Sequence, residues 1–176
     1  MNRFKFFKVF CFVLSIAAAL YYPVKKIIAY EYSQSQKFEF KVSGFDPYDP
    51  ARGHYLALTV HPQRAEFGKG GQYAVLGTDK DGLATVIDLV DVPDDRPCVK
   101  LKYKARTSLF YPFDRFYINE KLALVAEALF MQAVNNKQRC VLVVNVYKDG
   151  ATSVSDLLID GKSIKTLAAE RCAKKK

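Results

Sequence analysis

The sequence predicts an α+β fold, a mostly antiparallel β domain with one main helix, preceded by an N-terminal transmembrane helix. Three observations predict it. Short runs of alternating apolar and polar residues recur between turn residues, as in strands with one buried face. One longer run, residues 119–135, carries apolar residues at helical spacing. An uncharged run at residues 9–24 lies close to the amino terminus.

The N-terminal run is long enough to approach the thickness of a bilayer. Residues 9–24 would reach about 24 Å as a helix, and a hydrocarbon core is roughly 30 Å thick. Phe4 extends the apolar run to about residues 4–24, since Lys5 and Lys8 can snorkel. We expect an uncleaved signal anchor. The alternative is a cleavable signal peptide ending near Ala17–Ala19, against which the following aromatic and basic residues count.

Charges flanking the run suggest an orientation. Three basic residues precede it and two follow it, which favours an amino terminus inside the cell. We therefore expect a single-pass protein of a bacterial inner membrane, with its domain in the periplasm or outside the cell. The predicted parts are an anchor at 1–30, a linker at 31–37, a β-rich domain at 38–165 and a basic tail at 166–176.

The first half of the domain has the pattern of strands joined by turns. Alternation predicts one strand over residues 38–42 and another over 55–60, the second approached through two Asp-Pro steps and Gly53. In that second strand we expect Leu56, Leu58 and Val60 to share one face. Residues 73–76 and 83–90 predict a hairpin with TDKDG as its turn. The segment DVPDDRP at 91–97 is the clearest internal break, and we leave open a division into two β subdomains there.

The second half predicts the main helix between strands. Two short strands are expected at residues 99–103 and 107–110. The helix follows with Asn119 as its N-cap and Asn135-Asn136 as its stop. Strands are then predicted over residues 140–147 and 154–159, with Asp-Gly turns between and after them. The terminal residues IKTLAAERCAKKK predict a short helix with a basic tail.

Composition excludes several classes of function. The formal charge is +9, but residues 1–30 hold five basic residues and no acidic one, which leaves 22 basic and 18 acidic residues beyond them. A nucleic-acid partner is therefore not expected, and no nucleotide fingerprint or cofactor motif is present. Of the four cysteines, Cys98 and Cys140 could form a disulfide outside the cytoplasm, although buried free thiols are the preferred interpretation.

The first candidate site is Arg52, His54 and Tyr55, with Asp46 and Asp49 upstream. Its functional interpretation is an anion site or a histidine general base. The structural alternative, which we prefer, is a turn whose aspartates hold backbone donors or pair with the arginine. His54 and His61 are an odd number of residues apart along a strand, which places them on opposite faces and argues against a shared metal.

The second candidate site lies at residues 111–123, where the sequence reads YPFDRFYINEKLA. Asp114, Arg115 and Glu120 crowd the start of the helix, with Tyr117 between them. Glu120 suits the positive end of a helix without any ligand. We predict that this block closes on residues 46–60, with Arg115 and Glu120 as a polar core. An exposed, concave arrangement would instead favour a ligand site.

The stretch DPYDPARGHYLALTV at 46–60 resembles the defining motif of the GDYXXLXY family of bacterial membrane-anchored proteins. Gly53, Tyr55 and Leu58 occupy the Gly, Tyr and Leu positions of that motif, whereas His54 and Val60 replace its Asp and its final Tyr. Two further blocks are similar. DRFYINEKLALVAE at 114–127 resembles an Arg-aromatic-aromatic-x-x-Glu segment, and KDGATSVSDLLIDGKSI at 148–164 resembles a closing hairpin.

The resemblance implies a membrane anchor and a β-rich extracytoplasmic domain, and it supplies no activity. We therefore expect a domain that is not an enzyme, without cofactor, that binds or assembles with a membrane partner such as a multi-span protein. The alternative is a hydrolase or peptidase with a signal-peptidase-like β-fold. A Gly-x-aromatic step before a strand and behind an anchor suggests it, but the chain has no Ser-Met-x-Pro-like segment.

Overall fold

The computed structural model describes residues 12–25, 35–44, 55–62, 71–105 and 108–174 of the chain. The chain divides into two compact units, Met1–Gln34 and Ser35–Lys176. In the first, the described residues 12–25 are helical (α1). No helix among the described residues combines the length and the apolar character needed to cross a membrane. The start of the predicted span, residues 4–11, lies outside the described ranges.

The second unit confirms the predicted α+β class with mostly antiparallel strands. Its elements, in chain order, are β1 (Gln36–Ser43), β2 (Tyr55–Ala57), β3 (Thr59–Val60), β4 (Tyr73–Thr78), β5 (Ala84–Val90), β6 (Cys98–Lys100), β7 (Tyr103–Ala105), β8 (Ser108–Phe110), β9 (Arg115–Tyr117), α2 (Glu120–Asn135), β10 (Cys140–Val146), β11 (Thr152–Ile159), β12 (Lys162–Ser163) and α3 (Ile164–Ala173). Strand β1 begins two residues before the predicted strand, within the predicted linker.

The largest sheet has five strands in the order β12-β11-β10-β1-β3, all antiparallel. Its central strand β10 reads CVLVVNV, which is almost continuously apolar, and five of its seven residues are buried. Phe40, Leu142 and Leu157, on three adjacent strands, are fully buried. They anchor a single core cluster that also includes Phe130 of α2 and Ile164 of α3.

A three-stranded sheet, in the order β5-β4-β6, contains the predicted hairpin. Asp79 holds its turn, since its carboxylate accepts hydrogen bonds from the backbone N–H groups of Asp81 and Leu83 at 2.9 and 2.8 Å. The predicted break at residues 91–97 connects β5 to β6, which both pair with β4. Strands β7 and β8 form a separate two-stranded sheet.

Helix α2 confirms the predicted main helix and its N-cap. The Asn119 side chain accepts a hydrogen bond from the backbone N–H of Lys121 at 3.0 Å. Small residues dominate the buried face of the helix, which allows close packing against the sheet. Helix α3 is the predicted terminal helix. It begins at Ile164, whose side chain is fully buried, and it packs against α2.

Two strand predictions need correction. The single strand expected over residues 55–60 is interrupted at Leu58, so that β2 pairs with β9 while β3 pairs with β1 in a different sheet. The strand expected at residues 99–103 is also divided, since β6 pairs with β4 and β7 pairs with β8. The preferred interpretation of Cys98 and Cys140 as buried free thiols is confirmed. Burial raises the pKa of both thiols, which is the behaviour of inert core cysteines.

Candidate functional site

Strand β2 and the residue that follows it, Leu58, bring two motif residues into contact with the second predicted block. It pairs antiparallel with β9, with Tyr55 opposite Tyr117 and Ala57 opposite Arg115. The backbone N–H of Leu58 donates to the carbonyl of Asp114 at 2.8 Å, which continues the pairing past β2. The predicted closure of the 111–123 block on the 46–60 block is therefore confirmed. The sequence did not predict that the closure takes the form of a strand pair.

The alternation of these two strands separates apolar from polar side chains. Leu56, Leu58 and Phe116 are buried in the core, as the sequence predicts for the two leucines. The opposite face presents Tyr55, Arg115 and Tyr117, and we call these three residues the motif cluster. Tyr117 is 63% exposed. The family motif thus supplies both a buried leucine and a surface aromatic residue.

Aromatic contacts hold the motif cluster together. The rings of Tyr55 and Tyr117, which are directly opposite, have centroids 5.9 Å apart. The guanidinium carbon of Arg115 lies 4.9 Å from the centroid of the Tyr55 ring, within cation–π range. A hydrogen bond to the Tyr117 side chain, together with Tyr55 and Asp114, raises the pKa of Arg115. The guanidinium therefore remains a cation beside two aromatic rings.

An open cleft of about 520 Å³ lies beside the motif cluster. We call it the motif cleft. Residues 112–117 follow one another along one wall, and strand β11 and helix α3 provide other parts of the lining. The lining residues are Lys102, Pro112, Phe113, Asp114, Arg115, Phe116, Tyr117, Thr152, Val154 and Lys165.

Cations outnumber carboxylates in the lining of the motif cleft. Lys102, Arg115 and Lys165 are cationic and Asp114 is anionic, so the formal balance is 3 − 1 = +2. Lys102 and Asp114 form an ion pair at 3.3 Å, whereas Arg115 and Lys165 form no ion pair with the described residues of the lining. The Lys165 ammonium lies 5.2 Å from the centroid of the Phe116 ring. A cleft of this kind attracts an anionic group that also carries apolar surface.

The predicted polar core of Arg115 and Glu120 is wrong. Glu120 is exposed at the first position of α2, and Arg115 is only partly covered. The physical reason is the strand register, which turns Phe116 inward and so places Arg115 on the outer face. The remaining predicted candidates, Arg52, Gly53 and His54, lie outside the described residues, as do Asp46 and Asp49.

Sequence reasoning missed Lys102, Thr152, Val154 and Lys165 as lining residues. Lys102 lies in the connection between β6 and β7, Thr152 and Val154 lie in β11, and Lys165 lies in α3, and each of these segments has its own local explanation. No local pattern marks them, because they meet only when β9, β11 and α3 pack together. The closing-hairpin block at 148–164 contains two of them, and it is the one signal that connects them to the motif.

A second polar contact joins Ser43 of β1 to His61, just after β3. The Ser43 hydroxyl and the Nε2 atom of His61 are 2.6 Å apart. Burial and the nearby Lys41 lower the pKa of His61 below its ordinary value of 6.5. The ring is therefore neutral at pH 7, and its Nε2 can accept the serine proton. Ser43 also lines a second cleft, of about 480 Å³, with Lys41, Lys137 and Arg139.

In the described part of the chain, no group of three or more His, Cys, Asp or Glu side chains is placed to hold a metal ion.

The fold and the motif cleft define a class of protein, namely an α+β domain whose paired strands β2 and β9 carry a cationic, aromatic surface cleft. The chain belongs to the GDYXXLXY family, whose model, described as "GDYXXLXY protein", matches residues 16–157. No curated protein and no solved structure matches the chain.

Proposed function

We propose that this chain is a membrane-anchored binding domain that assembles with a protein partner in the membrane. The motif cluster and the adjoining motif cleft are its recognition surface. The partner we expect is a multi-span membrane protein. The domain acts outside the cytoplasm, in the periplasm of a bacterium or at its outer face, and it does so without a cofactor.

One observation carries the proposal, namely the exposed motif cluster. Tyr and Arg are enriched among the residues that dominate the energy of protein interfaces. In this cluster an arginine contacts two tyrosines on the outer face of a strand pair, and Tyr117 is largely exposed. An arginine already stacked on a tyrosine loses less side-chain entropy when a partner binds. The family motif supplies Tyr55, so the recognition surface includes a residue of the defining motif.

The anchor rests on the sequence. The uncharged run at residues 9–24 follows three basic residues, and its described part is helical. An anchored domain meets membrane partners at a high effective concentration, so that a modest interface is sufficient for assembly. This is why a small surface such as the motif cluster suits the proposed role.

Photo-crosslinking in intact membranes tests the proposal. Position 117 of the full chain is replaced by the photoreactive residue p-benzoylphenylalanine, and the adduct is identified by mass spectrometry. We expect one discrete adduct with a multi-span protein, and its loss when Arg115→Ala is added. Arg96→Ala is the matched control, because it removes one cation from an ion pair with Asp94 and Asp88 outside the motif cleft. No adduct, or an adduct unaffected by Arg115→Ala, would contradict the proposed function.

A second candidate function, hydrolysis, rests on the pair of Ser43 and His61. In this role the Ser43 hydroxyl oxygen would bond to an acyl carbon as the bond to the leaving group breaks, and His61 Nε2 would pass the hydroxyl proton to the leaving group. Water would then hydrolyse the acyl-Ser43 ester and regenerate the hydroxyl. The second cleft would receive the substrate. The motif cluster has no part in this chemistry, so the two candidates are tested separately.

A fluorophosphonate probe, which labels activated serines, tests the second candidate on the full chain in detergent. Hydrolysis predicts a label on Ser43 that Ser43→Ala and His61→Gln both abolish. Ser153→Ala is the control, since Ser153 is also a hydrogen-bonded serine at a part-buried position. An unlabelled wild-type chain would exclude an activated serine.

A further inference from the structure

We infer that the motif cleft binds an extended acidic segment of the partner protein, with apolar residues between its carboxylates. The inference rests on the proposed function and names the chemistry of the contact. Three properties of the motif cleft carry it, namely its charge, its direction along a strand and its apolar walls.

The positive charge of the residues lining the motif cleft favours an anionic ligand. Among the described residues that line the motif cleft, Asp114 is the one carboxylate, and Lys102 already forms an ion pair with it. Arg115 and Lys165 then provide two cationic groups in the same cleft. A guanidinium presents a planar fork of donors that matches a carboxylate, and an ammonium accepts a second carboxylate in many geometries. Two carboxylates on one segment therefore match the formal balance of +2 in the lining.

The course of the motif cleft along a strand favours an extended peptide as the ligand. Its lining includes six consecutive residues, 112–117, so that it runs along β9. In the described part of the fold β9 belongs to a two-stranded sheet, where β2 pairs with one of its edges. Three strand residues span about 10 Å, a length that an extended peptide can follow and that a compact lipid headgroup cannot. The geometry thus favours a peptide over a headgroup.

The walls of the motif cleft accept apolar side chains. Phe113 and Phe116 expose little surface, but both contribute to the lining, and Val154 of β11 lies among the lining residues as well. Alternate residues of an extended peptide point to opposite sides. Carboxylates on one side can therefore meet Arg115 and Lys165 while apolar residues on the other contact the aromatic wall. A purely acidic segment would use only half of this surface.

Fluorescence anisotropy with the full chain in dodecyl maltoside micelles tests the inference. The probe is a fluorescein-labelled peptide of sequence Glu-Val-Glu-Val-Glu, and Gln-Val-Gln-Val-Gln is the uncharged control. We expect saturable binding of the first peptide only. Arg115→Ala and Lys165→Ala should each raise its Kd by about fivefold or more, whereas Arg96→Ala should change it by less than about twofold. Melting curves establish that the variants are folded.

Several outcomes would overturn the inference. An equal rise in Kd for Arg115→Ala, Lys165→Ala and Arg96→Ala would show that peptide binding depends only on the total charge of the chain. Displacement of the peptide by micromolar dihexanoyl phosphatidylglycerol would assign the motif cleft to a lipid headgroup. Failure of the peptide to bind, together with an Arg115-dependent crosslink at position 117, would refute the acidic segment and leave the proposed function standing. Absence of the crosslink in the chain that retains Arg115 would instead refute the proposed function itself.

Discussion

At the residue scale, β9 assigns opposite roles to neighbouring side chains. Phe116 is 2% exposed and belongs to the core cluster, while Arg115 on the other face contacts Tyr55. Truncating a buried phenylalanine removes apolar contacts and leaves a cavity. Truncating an exposed arginine removes a screened charge. The proposed binding role and the stability of the fold therefore depend on different residues of β9, Arg115 and Phe116.

This separation predicts different melting curves for two adjacent alanine variants. Phe116→Ala should lower the free energy of unfolding by about 3–5 kcal/mol. Arg115→Ala should leave the melting temperature close to that of the wild type, while it weakens partner binding. Thermal unfolding of the purified full chain followed by circular dichroism makes the comparison. A large loss of stability in Arg115→Ala would show that this residue has a structural role.

His61 predicts a pH dependence of stability. Because burial lowers its pKa, the unfolded chain binds a proton at pH values where the folded chain does not. The contribution of the neutral His61 ring to stability is complete above the ordinary pKa of 6.5. It is lost as the pH falls from that value through the lowered pKa of the folded chain. The melting temperature should therefore decrease as the pH is lowered from about 7.5 to about 5.5, a range that includes the ordinary histidine pKa of about 6.5. The decrease should be smaller in His61→Gln. Equal pH slopes in the two chains would contradict this assignment.

At the element scale, the sequence predicted the existence of most elements better than their pairing. The hairpin of β4 and β5, helix α2 with its Asn119 cap, and strands β10 and β11 all follow from local patterns. Strand β9 did not, since DRFYINE was interpreted as the polar approach to a helix. Three residues are too short a run for period-two alternation to stand out. Only pairing with β2 makes these residues a strand.

The β4–β5 hairpin depends on a glycine that precedes it. Gly71 has a φ of +94°, and a Cβ atom there would lie 2.5 Å from the backbone nitrogen of Val90. Gly82, in the hairpin turn, also has positive φ, at +77°, but a Cβ there would meet nothing within 4 Å. An alanine at Gly82 would therefore meet backbone strain alone, whereas an alanine at Gly71 would meet both backbone strain and a steric conflict.

Alanine at these two glycines should have unequal effects. Gly82→Ala should cost about 1–2 kcal/mol, from the left-handed conformation alone. Gly71→Ala should cost about 3 kcal/mol or more, because the backbone of β5 must also move. Urea unfolding of the two variants measures the difference. Equal midpoints would mean that the hairpin accommodates the added methyl group.

At the scale of the whole molecule, the two units differ in chemical character. Residues 1–30 carry five basic side chains without an acid, whereas the remainder is nearly balanced. The proposed membrane anchor rests on this difference, because apolar residues partition into a bilayer while lysines can interact with headgroups. The β-rich unit has its own core and carries the motif cleft.

We predict that the N-terminal segment remains attached in the mature protein. The aromatic residues Tyr21 and Tyr22 and the basic pair Lys25-Lys26 follow the apolar run at once, which disfavours cleavage after Ala19. Intact mass spectrometry of protein extracted from membranes should give the full-length mass. The protein should also resist extraction with alkaline carbonate. A mature amino terminus near Leu20 would contradict the anchor.

The sequence by itself determined the fold class, the main helix with its cap, most of the strands and the family. Each of these depends on local periodicity or on short ordered motifs, which neighbouring residues carry. Only the tertiary structure decided that the strand at 55–60 divides between two sheets and that Arg115 faces outward. It also brought Lys102, Val154 and Lys165 to one cleft. The reason is physical: register and long-range packing set which faces meet, and no window of neighbouring residues contains both partners of such a contact.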